Sequence, residues 1–268
     1  MLPLSRAGRH TLAMREVTRS PVPRVFLLGP VRCDDVSRDE LIEELAEADV
    51  KSRPRLIFNI NAHALNLALG APVLADVFNT AYLTFCDGFG IVLLARFFRV
   101  GHVRHRMTPP DFVEEVYARL TANGRRVFLL GDEEGTVSGY AQRLEQRWPG
   151  LVAGWESGFF EFGSPKESAI LEKINASGAS LLLLGMGMPR QELWATRHAA
   201  ELQCDHVLSV GALFGWGDGR RRGPRWATDR GLEWLFRLIH EPRRVWKRYL
   251  IGLPQVTWRL WRYRSGAR

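Results

Sequence analysis

Nothing in this chain is long and apolar enough to span a bilayer. Apolar runs such as Ile91 to Ala95 and Leu181 to Leu184 fall far short of the ~20 residues a spanning helix needs. Cysteine is scarce: Cys33, Cys86 and Cys204 are odd in number and far apart. That excludes a disulfide framework or a zinc pattern and leaves three buried thiols in a reducing compartment. There is no Asp-x-Asp pair and no Walker loop, and the seven histidines form no metal-ligand pair. The first 24 residues hold five arginines but no apolar core segment. They read as a flexible basic tail and not as a secretory signal.

Acidic residues are lacking from one end. Residues 220–268 carry 14 of the 37 Lys and Arg but three of the 29 Asp and Glu, a net +11 that leaves −3 for the remainder. Five of the nine tryptophans, Trp226, Trp234, Trp246, Trp258 and Trp261, lie there too. Cations interleaved with indoles suit an anionic lipid headgroup zone. They would also suit nucleic acid, or simply a solvated helical tail.

What the chain does have is alternation. Apolar runs over 25–29, 56–60, 83–86, 127–131, 181–185 and 207–210 read as buried strands. Helical patterns over 38–48, 64–78, 90–98, 111–123, 137–148, 166–177 and 191–202 lie between them. Ser37 with Glu40 makes a capping box. Such alternation predicts an α/β fold, a mostly parallel Rossmann-like sheet with helices on both faces. RVFLLG occurs at 24–29 and again at 126–131, which suggests two similar buried strands and no repeat array. Three parts follow: a tail over 1–24, a core over 25–218 and a C-terminal helical appendage over 219–268. In the appendage, Arg220 to Pro224 read as an exposed linker, a helical stripe follows, and Pro254 is expected to end the last helix. Its distal cations, among them Arg259, Arg262 and Arg264, are expected to face a membrane. Deleting it is expected to leave a folded, soluble core.

In open parallel sheets ligands bind beyond the carboxyl ends of the strands, so the residues there are the candidates. Asn59 and Asn61 close one strand. Their amides suit sugar hydroxyls or a uracil edge, although asparagine is also ordinary turn chemistry. Asp87, with Gly88 after it, closes the next. A carboxylate in that place can take a proton from an attacking hydroxyl, or it can merely cap the following helix. Arg106 precedes a helix, where a guanidinium can clamp phosphate or sit in a solvated turn. Gly131 ends a further strand. Gly185, Gly187, Gln191 and Glu192 lie where a buried strand turns through glycines into a helix, a ready anion site. Gly185-x-Gly187 also begins like a dinucleotide fingerprint. Arg190 replaces its third glycine, however, and Asp205 comes before the next strand instead of ending it.

Together NAHALNLA (61–68), DGFGIVLLAR (87–96), RMTPPDF (106–112), GMGMPRQELW (185–194), GALFGW (211–216) and GLEWLFRLIHEPRRVWKRYL (231–250) resemble the WecB/TagA/CpsF glycosyltransferases, family 26, in order over 25–254. The resemblance implies an inverting transferase that uses a UDP-sugar and a polyprenyl-pyrophosphate-linked acceptor without metal or other cofactor. It implies Asp87 as base, Asn59 and Asn61 as the polar pair beside it, and Gln191 near the donor. It implies a membrane-binding appendage whose cations, best matched by Arg237, Arg244 and Lys247, reach over the site. Asn59, Pro109 and Lys247 depart from the family's usual threonine, glycine and arginine.

The expected enzyme is thus a hexosyl- or N-acetylhexosaminyltransferase of bacterial surface-polysaccharide or exopolysaccharide synthesis. It is expected to be cytoplasmic and held peripherally on the inner face of an anionic membrane, with no nucleic-acid partner; a homo-oligomer is compatible with the sequence. The alternatives are an NAD-dependent oxidoreductase and a non-catalytic membrane- or nucleic-acid-binding module.

Overall fold

The computed structural model describes residues 25–47, 53–216, 233–240, 246 and 250–266. Eight strands form one sheet in the order β1-β2-β4-β3-β8-β7-β5-β6. They are β1 (Val25–Leu28), β2 (Val31–Asp34), β3 (Arg55–Ile60), β4 (Leu83–Cys86), β5 (Val127–Gly131), β6 (Val152–Glu156), β7 (Leu181–Gly185) and β8 (His206–Ser209). All neighbours are parallel except β1 and β2, which pair antiparallel. The α/β class and the mostly parallel sheet are as the alternation requires.

Helices α1 (Arg38–Ala46), α5 (Val113–Ala122) and α6 (Glu134–Arg147) cover one face through a cluster that includes Leu41, Tyr117 and Leu144. Helices α2 (Ala62–Gly70), α3 (Pro72–Thr80), α4 (Phe89–Phe97), α7 (Pro165–Ala176) and α8 (Arg190–His198) cover the other through Leu65, Phe78, Ile91, Ile174 and Trp194. The Ser37 capping box forms as expected, with the Glu40 amide donating to Ser37 Oγ at 3.2 Å and the Ser37 amide to Glu40 Oε2 at 2.8 Å. All three cysteines are free and buried.

Four sequence expectations are corrected. The helix expected over 64–78 is two: Ala71 is extended at φ −147° and ψ 102° before Pro72, because proline crowds the preceding residue out of the helical region. Strands β2 and β6 were not expected. The two RVFLLG copies occupy different environments: β5 is buried throughout, whereas Val25 and Leu27 of the edge strand β1 face outward. Pro254 does not end a helix. It sits in the first turn of the last one, Gly252–Arg264, where the missing N–H is harmless.

This last helix and Glu233–His240, numbered α10 and α9 here, are what the structure describes of the expected appendage, together with a few adjoining residues. The expected tail over 1–24, the boundary at 218 and the linker at 220–224 lie outside the described residues. Helix α10 packs on the core. Val256 and Leu260 are buried in the same cluster as Leu65, each contributing about 1.5–3 kcal/mol. Asn66 clamps it: its amide donates to Gln255 Oε1 at 2.9 Å, and Arg259 donates to its side-chain oxygen at 3.0 Å and to its main-chain carbonyl. Arg259 therefore holds the helix in place and is not a free headgroup ligand. Deletion from Arg220 would strip this cover from α2, so it cannot be expected to leave an undisturbed core.

Candidate functional site

The carboxyl ends of β3, β4 and β8 meet at one carboxylate. Asp87 follows β4, and its amide is tied to the Ile60 carbonyl at 2.8 Å. Asn59 Nδ2 and Asn61 Nδ2 both donate to Asp87 Oδ2, at 3.2 and 3.3 Å. The cap of α4 is Gly88, at φ +81°, without a side-chain bond, so Asp87 is not spent as a helix cap. Asn61 performs both roles the sequence allows. Its oxygen accepts from the amides of His63 and Ala64 at 3.0 and 3.1 Å, capping α2, while its nitrogen turns to Asp87. Asn59 is oriented from behind by Ser209 on β8, whose hydroxyl donates to Asn59 Oδ1 at 3.1 Å and accepts from its amide at 3.0 Å. With one lone-pair direction set from each side, the amide nitrogens can only face the carboxylate. Ser209 was not singled out in the sequence, although its place at a strand's carboxyl end was a usable signal.

Arg106 is brought to the same corner. The amide of Met107 donates to the Cys86 carbonyl at 3.2 Å, and buried Asp35 accepts from the amides of Arg104 and His105 at 3.0 and 2.9 Å. The Cys86 thiol is held well above its usual range, first by burial and next by the Asp87 charge, while Arg106 pulls the other way. A buried thiol so held is inert. Asp35 follows β2, the strand the sequence did not reveal, and so carried no positional signal.

A cavity of about 560 Å³ opens over the ends of β5, β6, β7 and β8, lined by Asp132, Gly158 to Glu161, Gly185 to Gly187, Arg190, Gly211 and Ala212. Met186 and Gly187 line it, and the next residue, Met188, puts its sulfur 3.6 Å from Asn61 Nδ2. Cavity and carboxylate are therefore separated by a single loop. Arg190 at the start of α8 is its cation. The guanidinium lies 4.3 and 4.9 Å from the centroids of Phe162 and Phe160, and it donates to the Phe160 carbonyl. A fixed guanidinium at a helix N-terminus suits phosphate. Arg190 and Asp132 were not named as site residues in the sequence.

The remaining candidates divide. Gly185 and Gly187 line the cavity. Gly131 lies behind it: a Cβ there would stand 2.4 Å from the Gly185 carbonyl carbon, so its role is close approach of two strands. Gln191 and Glu192 are completely buried. Gln191 Oε1 accepts from the Gly187 amide at 3.2 Å, and its nitrogen donates to Glu192 Oε1 at 2.7 Å. They brace the loop from inside. Arg237 lies on α9, but its side chain is outside the described residues, as are Arg244 and Lys247 altogether. Among the described residues no group of three or more His, Cys, Asp and Glu is placed to hold a metal ion.

Burial pushes Glu192 up to about 7, against the opposing hydrogen bond from Gln191. The folded state therefore binds this proton more tightly than the unfolded state does. Its contribution to stability is complete below the ordinary carboxyl value of 4.5 and is lost as pH rises through about 7. Glu192→Gln keeps the oxygen that Gln191 bonds and removes the ionisation. Urea unfolding should show the variant close to wild type below the ordinary carboxyl value of 4.5 and more stable by roughly 3 kcal/mol above about 7. A pH-independent difference would contradict this.

An open, mostly parallel sheet with a fixed carboxylate and an anion-suited cavity at its carboxyl ends defines a doubly wound α/β ligand-binding protein. The model of the glycosyl transferase WecG/TagA/CpsF family matches residues 26–268. The chain belongs to that family: it is a glycosyltransferase of cell-surface polysaccharide synthesis. The oxidoreductase and non-catalytic readings fall with that membership. Among the described residues no helix is long and apolar enough to cross a membrane.

Proposed function

We propose that the protein transfers a hexosyl or N-acetylhexosaminyl unit from a UDP-sugar to a polyprenyl-pyrophosphate-linked saccharide, with inversion, at the inner face of the membrane. The observation that carries this reading is the Asp87 carboxylate, aimed by two amides and one loop away from a cavity whose cation is Arg190. The acceptor hydroxyl oxygen attacks the anomeric carbon as Asp87 takes its proton. The bond from that carbon to the UDP oxygen breaks, and its electron pair leaves with UDP. One displacement inverts the centre. Arg190 and the N-terminus of α8 receive the donor's phosphates, and Arg106 is assigned to the phosphates or the acceptor. Arg237, Arg244 and Lys247 are the further cations assigned to the pyrophosphates.

The test is a panel of UDP-sugars with a polyprenyl-pyrophosphate acceptor, with the product read by mass spectrometry. One donor should add one sugar mass. No product from any donor, with the acceptor intact, would defeat the reading.

Leaving-group charge is here neutralised by guanidinium groups and helix termini, so the proposal includes turnover without divalent metal. Turnover in excess EDTA should stay within about twofold of the untreated rate, since the barrier loses nothing. Loss in EDTA with recovery in Mg²⁺ or Mn²⁺ would contradict it.

A further inference from the structure

Three charged residues line the cavity over β5, β6, β7 and β8: Arg190, Glu161 and Asp132. Arg190 suits phosphate, and Glu161 is exposed. Asp132 has no part in the proposed transfer, yet it occupies a costly conformation. It stands at φ +53°, in the left-handed region where glycine is at ease and most side chains are strained. Main-chain bonds hold it there. Its amide donates to the Gly185 carbonyl at 3.1 Å, and its carbonyl accepts from the Gly158 amide at 3.0 Å and the Ser157 hydroxyl at 3.2 Å. Any residue but proline could make these bonds, so they do not require a carboxylate. Nor does helix α6, whose cap is Glu133. Asp132 Oδ1 accepts from the adjacent Glu133 amide at 3.1 Å. A carboxylate accepts up to about four hydrogen bonds, so this contact is compatible with a bound ligand.

We propose that Asp132 accepts hydrogen bonds from the ribose hydroxyls of the donor nucleotide and makes the protein prefer ribonucleotides to 2′-deoxyribonucleotides. The inference rests on the proposed UDP-sugar donor and adds the residue that selects its pentose. An ionised carboxylate only accepts, and it repels phosphate, so the ligand group beside it must be a neutral donor. The vicinal hydroxyls of ribose are two such donors, one for each carboxylate oxygen. The topology agrees. Strand β5 flanks β7 on the side away from β8, with Gly131 paired to Gly185. Asp132 therefore ends the strand beside the one whose glycine turn opens α8. In nucleotide-binding sheets an acid near the phosphate-binding helix holds the ribose in this way. Asp205, the acid that sequence spacing offered for the task, is at the wrong end of the sheet: it precedes β8 and forms an ion pair with Arg125.

Calorimetry on the full-length protein compares UDP with 2′-deoxy-UDP. Wild type should bind UDP about tenfold more tightly, the worth of one hydrogen bond to a charged acceptor. Asp132→Gly removes the carboxylate and is at ease at φ +53°, so Tm should not fall. Its affinity for UDP should drop about 10–100-fold, and the two nucleotides should then bind within about twofold of each other. With a short-chain soluble acceptor, this loss should appear in the donor's KM and not in kcat. Glu161→Gln, which also removes a carboxylate from the cavity lining, should keep the wild-type preference. Equal binding of the two nucleotides by wild type would overturn the assignment. So would a glycine variant that loses affinity for both by the same factor, which would make Asp132 a brace of the loop. A glycine variant that gains affinity for both would overturn it too, because Asp132 would then merely repel the phosphates. In each of these cases UDP still binds and the donor reading stands. If wild type binds neither nucleotide, the donor reading fails and this assignment fails with it.

Discussion

Asp87→Asn should lower turnover by about 10²–10⁴-fold while the protein remains folded and binds UDP as before. The replacement amide keeps an oxygen that can accept from Asn59 and Asn61, so the hydrogen-bonded corner stays filled. What disappears is a group able to take the acceptor's proton. Steady-state kinetics on the soluble acceptor, with UDP affinity from calorimetry, separates the two effects: kcat should fall with donor affinity unchanged. A folded variant with near-normal kcat would remove Asp87 from the chemistry. A variant that loses UDP binding as well would make it a structural residue of the crevice.

The second large effect is expected at Gly131. An added methyl would stand 2.4 Å from the Gly185 carbonyl carbon and 2.6 Å from its Cα and oxygen, on a backbone at φ +154°. These are main-chain atoms of the neighbouring parallel strand, so no side chain can turn away to make room. Gly131→Ala should cost about 3 kcal/mol or more, roughly 6–12 °C in Tm for a chain of this size. It should also weaken UDP binding, because β5 and β7 are pushed apart beside the cavity floor. Gly135→Ala is the control: it lies in α6 with no atom within 4 Å of its Cβ and should be neutral or slightly stabilising. Equal melting of the two variants would refute the close-approach role.

These cases show which parts of the fold were legible in the sequence. The parallel core was, because buried strands such as Leu181–Gly185 are unbroken apolar runs flanked by helical periodicity. Strands β2 and β6 were not. Val31–Asp34 reads as polar because Arg32 and Asp34 satisfy each other and the Thr84 amide within the sheet, at 2.8 Å in both contacts, a pairing visible only once β2 lies beside β4. Identical RVFLLG segments became an exposed antiparallel edge and a buried centre, since identity of side chains does not fix which neighbours a strand acquires. At the site, the rule that ligands gather at strand carboxyl ends led to Asn59, Asn61 and Asp87, which do converge. Applied to every strand it would also have reached Ser209 and Asp132. It misled at Gln191 and Glu192, because their place beside a glycine turn says nothing about which way a helix's first turn faces. Both side chains turn inward, where Gln191 holds the loop and Glu192 titrates. The appendage was read from its charge, its tryptophans and a helical stripe further upstream, and none of these disclosed that Val256 and Leu260 are core residues.

The central claim is glycosyl transfer by a single displacement, with Asp87 receiving the acceptor's proton. The most direct test is the anomeric configuration of the linkage formed by the wild-type enzyme on the soluble acceptor, read by NMR from a product whose mass shows one added sugar. The expected result is a configuration opposite to that of the UDP-sugar, with one UDP released per sugar transferred. Retention of the donor's configuration would require a different mechanism, and UDP release without a gain in acceptor mass would mean that the crevice does not perform the proposed transfer.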